Sequence, residues 1–247
     1  MAEWKAGTVT GRRRWNERLY SLRFDAEVAP FRAGQFIRVG LDLDGERVGR
    51  PYSLINAPGE QPLEIYFNIV EDGPLSPRLA AMEAGDAVWV APRASGLLTV
   101  EEVPEVPHLW LMATGTAIGP FLSILKDAPV WERFERVVLV HGVRTHDELA
   151  YGDTVRRLLD EHGSRLDFVP FTSREAPRDG LPGRIPAAIT DGSLEARVGL
   201  RIGPDDSHVM LCGNSGMIED VGTALAARDM RRHRRREPGH ISTEKYH

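Results

Sequence analysis

The hydrophobic pattern of this chain changes its period once, across the acidic, proline-containing stretch T-V-E-E-V-P-E-V-P at 99–107. That change limits the fold more than any composition does. Before it, short runs rich in β-branched and aromatic residues recur at 20–24, 35–41, 63–70 and 87–91. They are separated by Gly, Pro and Asp signals such as A-P-F-R-A-G-Q, D-L-D-G-E and A-P-G-E-Q-P, a spacing that predicts antiparallel strands in a small barrel. One helix is predicted among them over 76–86, with Ser76 as N-cap, Pro77 at the first helical position and Gly85 as the stop. After the change, apolar runs at 108–113, 137–141, 166–171 and 208–212 alternate with helical patterns at 118–126, 154–161, 185–189 and 217–228. Alternation of this kind predicts βαβ units and a parallel sheet covered on both faces. The expected fold class is therefore two-domain β + α/β: an antiparallel β-barrel over 1–98, a linker over 99–107 and a parallel-sheet α/β domain over 108–247.

Composition excludes several classes. With 42% hydrophobic and 27% charged residues, the chain is neither disordered nor fibrous. A single cysteine, Cys212, rules out an intramolecular disulfide, a four-cysteine zinc site and a cysteine-bound iron–sulfur cluster. The start M-A-E-W-K-A-G-T has no apolar signal core, and no apolar run approaches the roughly 20 residues that span a bilayer. A soluble, cytoplasmic monomer is expected, with no membrane and no metal. The net charge of −5 gives no sign of a nucleic-acid binder. Arginines nevertheless cluster at 12–14 and at 231, 232 and 234–236. Either cluster alone reads as a solvated face; together they leave open a basic docking patch for an acidic partner.

Chemistry concentrates in a few short segments. In R-P-Y-S (50–53), placed at the start of a barrel strand, alternation sets Arg50 and Tyr52 on one face and Pro51 and Ser53 on the other. Such a strand can hold a planar ring with an anionic tail: Tyr stacks, Arg pairs with phosphate, Ser bonds a ring nitrogen. D-G-P-L-S-P (72–77) leads into the helix, whose start offers unpaired N–H groups to a phosphate, although a plain cap explains Ser76 equally well. A-T-G-T-A-I-G-P (113–120) is a strand-to-helix glycine turn of the type that faces a pyrophosphate, but it is neither G-x-G-x-x-G nor a Walker sequence. T-S-R-E (172–175) with Arg184 puts basic residues at a sheet's carboxyl edge, where they suit the 2′-phosphate that separates NADP from NAD. L-C-G-N (211–214) ends the last parallel strand, and its cysteine reads more readily as core filler than as a nucleophile. The tail P-G-H-I-S-T-E-K-Y-H (238–247) can fray, or its Tyr246 and His247 can cover a flat cofactor.

Taken in order, these segments resemble the bacterial ferredoxin(flavodoxin)–NADP reductases over nearly the whole chain. The resemblance rests on G-Q-F (34–36), R-P-Y-S-L-I-N-A-P (50–58), D-G-P-L-S-P-R-L (72–79), A-T-G-T-A-I-G-P-F-L-S-I-L (113–125), T-S-R-E (172–175), G-R-I-P (183–186), V-M-L-C-G-N (209–214), R-R-R (234–236) and P-G-H (238–240). It implies FAD on the barrel, held by Arg50, Pro51, Tyr52, Ser53, Tyr66, Phe67, Asn68, Pro74, Leu75, Ser76 and Thr116, with Tyr246 and His247 returning to the flavin. It implies NADP(H) on the α/β domain, held by Arg144, Ser173, Arg174, Arg184 and Asn214. The implied activity is hydride exchange between NADP(H) and FAD, coupled to one-electron transfer with ferredoxin or flavodoxin. Tyr52 and Ser53 would serve the reacting ring, and Glu244 would relay a proton. The chain departs from the pattern at its end, Tyr246–His247, and at Pro74, where a basic residue can occur. A free-flavin or quinone reductase on the same scaffold, and a flavin redox sensor without turnover, stand as the rival readings.

Overall fold

The computed structural model describes residues 3–246. Six strands and one helix make the first half: β1 (Lys5–Arg14), β2 (Leu19–Ala26), β3 (Phe36–Leu43), β4 (Glu46–Ser53), β5 (Leu63–Asn68), α1 (Ser76–Ala81) and β6 (Ala87–Val90). They pair antiparallel in the order β4-β3-β6-β1-β2-β5, and a bridge between Leu54 and Ile65 joins the two ends of the sheet, as a barrel requires. The interior is filled by Val9, Leu22, Phe24, Ile37, Val39, Leu63, Ile65 and Phe67, the inward members of period-2 strands. R-P-Y-S closes β4 instead of opening it. Because β4 is an edge strand, Pro51 costs it no ladder bond. Ser76 is the first residue of α1 and not its cap. Its hydroxyl accepts the Val70 N–H at 2.9 Å, and the helix stops at Met82, before Gly85.

The second half runs β7 (His108–Thr114), α2 (Gly119–Leu125), α3 (Ala128–Arg133), β8 (Arg136–Val143), α4 (Gly152–His162), β9 (Leu166–Thr172), β10 (Leu181–Pro182), α5 (Ile185–Thr190), α6 (Ser193–Val198), β11 (Ser207–Gly213), α7 (Ser215–Ala226) and β12 (Ile241–Lys245). Its strands are all parallel, in the order β10-β9-β8-β7-β11-β12. Chain order reverses between β7 and β11, and ligands of open α/β sheets bind beside such a switch point at the strands' carboxyl ends. The tail pairs in register with β11, Cys212 opposite Glu244. Regular structure there comes from an open strand edge, not from an apolar pattern of its own.

The two sheets share a core. Leu19, Ala33, Ile55 and Tyr66 of the first half pack in one apolar cluster with Leu111, Ala117, Phe121, Tyr151 and Cys212 of the second. The expected linker takes part, burying Thr99, Val100 and Val103, and Arg133 donates to the Val100 and Val103 carbonyls. Gly34 sits at φ +93° where any Cβ would collide with the Leu98 carbonyl, and its N–H donates to Ser123 Oγ of α2 at 3.2 Å.

A polar chain crosses the same boundary. Trp15 Nε1 donates to Ser21 Oγ at 2.7 Å, Ser21 Oγ and Tyr151 Oη lie 2.5 Å apart, and Tyr151 Oη donates to Glu64 Oε1 at 2.6 Å. All three protons therefore point toward one carboxylate, which Arg23 also holds at 2.9 Å. Polarised chains of this kind are stronger than their separate links. Tyr151 accepts a left-handed backbone, φ +62°, to reach it. Tyr151→Phe should therefore lower stability by about 1–3 kcal/mol, read from urea denaturation. An unchanged midpoint would show that the chain contributes nothing to holding the halves together.

Candidate functional site

A cleft of about 710 Å³ opens where the two sheets meet. Its barrel wall is Arg18, Leu19, Asn68 and Val70; its α/β wall carries Thr114–Thr116, Arg144, Glu148, Ser173, Arg174, Arg184 and Asn214. Tyr246 lies between the two. Ser173, Arg174 and Arg184, expected to grip a 2′-phosphate, and Arg144, expected on the NADP(H) side, thus come together from three separate turns. Asn214 joins them, its Oδ1 accepting the Met217 N–H at 2.8 Å as the N-cap of α7. Gly213 beside it reaches φ +150°, and a Cβ there would strike Thr114 Oγ1. Thr116 is buried in the turn after β7, which His141 braces through Nε2 and the Gly115 carbonyl at 2.9 Å. Burial depresses the His141 pKa to about 4, so the ring is neutral and can act as that carbonyl's donor.

At the head of the cleft the chain end meets the barrel. Tyr246 Oη donates to Ser53 Oγ at 2.7 Å, and the Tyr246 N–H donates to the Gly213 carbonyl at 2.9 Å. Burial raises the Tyr246 phenol far above its ordinary range, which keeps it a hydrogen-bond donor. Two residues back, the Glu244 carboxyl lies against Gly96, where a Cβ would stand 3.3 Å from Oε2. Burial raises Glu244 to about 7. Its ladder partner Cys212 is wholly buried, and burial first and Glu244 second push the thiol upward, so it stays protonated. A neutral buried thiol is no nucleophile.

The remaining sequence-derived residues fall in distinct places. Tyr52 packs edge-on to Phe67, with ring centroids 5.8 Å apart, and burial raises its phenol to about 12. Arg50 is exposed next to the exposed Pro51, and its guanidinium donates to the Gly49 carbonyl. On β5, Asn68 lines the cleft, whereas Phe67 points into the barrel core. Tyr66 lies under Trp15 and Tyr151, and its buried hydroxyl has no hydrogen-bond partner among the described residues. In the 72–77 turn Pro74 is exposed, while Leu75 and Ser76 are buried. His247 lies outside the described residues.

Sequence reasoning missed Arg18 and Glu148, both cleft-lining, because neither belongs to a motif. The arginine clusters are partly used internally. Arg12 donates to the Ala80 carbonyl and Arg13 stacks 3.6 Å over Trp15, while Arg235 pairs with both Glu102 oxygens at 2.9 and 2.6 Å.

Comparison with known proteins agrees with this geometry. Residues 111–223 match the family described as an oxidoreductase NAD-binding domain. The chain is 46% identical over 221 residues to the flavodoxin/ferredoxin–NADP reductases of Shigella flexneri and Escherichia coli K12, covering 90% of this chain and 89% of each relative. It is 36% identical over 220 residues to the ferredoxin–NADP reductase of Pseudomonas aeruginosa, covering 85% of this chain and 84% of that one. A crystal structure of a ferredoxin NADP+ reductase from Neisseria gonorrhoeae with bound FAD and NADP superposes with a TM-score of 0.94 at 32% identity, covering 99% of both chains.

The raised Glu244 carboxyl gives a signed prediction. The folded protein keeps its proton up to about 7, whereas the unfolded chain releases it near 4.5. The stability of the wild type relative to Glu244→Gln is therefore fully present below pH 4.5 and is lost as pH rises to about 7. Urea denaturation of both proteins across that range should show the wild type losing stability against the variant as pH rises, because burial disfavours only the ionised carboxylate. A pH-independent difference would mean that Glu244 ionises as an ordinary surface acid.

Proposed function

Since the chain belongs to the flavodoxin/ferredoxin–NADP reductase family, we propose a division of labour among its residues for that reaction. The protein is an FAD-dependent oxidoreductase that exchanges electrons between NADP(H) and ferredoxin or flavodoxin. Residues 1–98 are read as the FAD-binding unit, 108–247 as the NADP-binding unit and 99–107 as their connection. The residues fit the flavin on two observations. Ser53 Oγ at the end of β4 bonds the cleft-lining Tyr246, with Tyr52 next to it in the strand, and the buried Tyr66 hydroxyl has no partner among the described residues. Arg50, Tyr52, Ser53, Tyr66, Asn68, Thr116 and the main chain of the 74–76 turn are the groups proposed to hold it. FAD held there would supply the hydride and single-electron chemistry that no side chain here offers.

The chain's own residues position and shield. Arg174 and Arg184 are exposed at the carboxyl edge of the sheet without an acidic partner among the described residues, which suits a phosphate dianion. Thr116, the Gly115 turn and the start of α7 line the same cleft as those arginines. Tyr246 covers the Ser53 end of the cleft and must move aside for a nicotinamide to reach it. Glu244, with a pKa near 7, can hold or release a proton under working conditions. Cys212 stays a neutral, space-filling thiol.

The carrier is proposed to be an acidic protein that meets the arginine run at 231–236, where Arg232 and Arg236 remain exposed. No helix among the described residues is long and apolar enough to cross a membrane. A cytoplasmic monomer completes the proposal, in keeping with the one unpaired, buried cysteine.

The observation that carries this reading is the convergence of Arg144, Arg174 and Arg184 in one cleft that Tyr246, bonded to Ser53, also lines. Anaerobic absorbance titration tests it. The purified protein should show a flavin spectrum that NADPH bleaches at concentrations at least about tenfold below those needed with NADH. Equal bleaching by the two nucleotides would contradict the role given to the arginines.

A further inference from the structure

Resting on the NADP(H) reading above, we infer that Glu148 is a specificity-determining positioning residue. Its carboxylate fixes the Arg144 guanidinium for the adenosine 2′-phosphate and so favours NADP(H) over NAD(H).

Glu148 ends the short helical turn His146–Glu148 that follows β8. Its Oε1 sits in the guanidinium fork of Arg144, 2.7 Å from Nε and 2.6 Å from Nη2, while Oε2 accepts the Arg144 main-chain N–H at 2.9 Å. The acid is thus tied to the residue four positions earlier through both side chain and backbone. Its side chain is 14% exposed against 46% for Arg144, so the carboxylate forms the floor and the guanidinium the open wall. Arg18, Arg174 and Arg184 also line the cleft, and none has an acidic partner among the described residues. Arg144 alone of the four is held.

Holding matters because a guanidinium is a planar fork of five N–H donors on a long, flexible stem. Glu148 occupies the Nε/Nη2 edge and leaves Nη1 and the outer N–H of Nη2 for another acceptor. An anion arriving there meets a donor whose rotamer freedom is already spent. The turn is also stitched to the loop that bears the other arginines. Arg174 N donates to the Arg144 carbonyl at 2.9 Å, and Ser173 N to the Val143 carbonyl at 3.1 Å. Arg178 N donates to His146 Nε2 at 3.1 Å, and Glu175 accepts the His146 N–H.

A carboxylate in an anion cleft also has an opposing effect, since it lowers the positive potential and competes for Arg144. Geometry decides between the two. The Oε2 bond to the main chain keeps the acid where it is, and it engages an edge of the guanidinium that a phosphate on the Nη1 side does not need. One carboxylate also offsets the mutual repulsion of the four guanidiniums that line the cleft.

Equilibrium binding of 2′,5′-ADP and of 5′-ADP to the holoprotein tests the assignment in the wild type, Glu148→Gln and Glu148→Asp. Glu148→Gln should weaken 2′,5′-ADP by about tenfold and leave 5′-ADP within about twofold, because only the former carries the 2′-phosphate. The matching kinetic loss should fall on KM for NADPH, not on kcat, and Glu148→Asp, which keeps the charge, should recover part of it. Glu148→Gln binding 2′,5′-ADP as tightly as the wild type, or more tightly, overturns the inference, as does equal weakening of both ligands. A wild type that does not distinguish the two ligands overturns the NADP(H) reading itself, and the inference with it.

Discussion

The hydrogen bond from Tyr246 Oη to Ser53 Oγ joins residues 193 positions apart, and both ends of it depend on sheet edges. Ser53 is presented by the last residue of an edge strand, β4, where the barrel closes through the Leu54–Ile65 bridge. Tyr246 is presented by β12, which exists because β11 offers an unpaired parallel edge. The bond can form only if the two sheets are held at one distance and angle. The shared apolar cluster and the Trp15–Ser21–Tyr151–Glu64 chain do that work. Barrel, interface and tail are therefore coupled parts of one site.

Burial then sets the chemistry. The same enclosure that keeps Cys212 and Tyr246 protonated brings Glu244 to a pKa near 7, so a single environment yields two inert donors and one titratable acid. Farther along the cleft the balance reverses. Arg174 and Arg184 stay solvated and ready for an anion, and Arg144 is oriented by the half-buried Glu148. An uncharged, water-poor end for a ring and a cationic, wet end for a phosphate match the two ends of a dinucleotide.

Much of this was legible in the sequence because period and turn chemistry are local. The change at 99–107 separates the two sheets, and the buried runs at 108–113, 137–141, 166–171 and 208–212 lie within the observed parallel strands. What stayed hidden depends on partners far away. β1, with its run of Arg12–Arg14, shows little apolar alternation, because its outward residues stack and bond on the surface. β4 was obscured by Pro51, which only an edge position excuses. Phe67 and Tyr66 sit side by side in one strand, and which of them faces the barrel and which the interface follows from register, not from residue type. Glu148 belongs to no motif, since its role arises when a turn folds its carboxylate back onto Arg144.

Amide hydrogen exchange at Tyr246 in the holoprotein, with and without saturating NADP+, tests most directly whether the chain end is a removable cover. Its N–H is bonded to the Gly213 carbonyl when the tail is docked. The account predicts that NADP+ speeds exchange at Tyr246 while the amides of β11, deeper in the sheet, keep their protection. Exchange at Tyr246 that slows or stays unchanged on binding would mean that the nucleotide settles without displacing the tail.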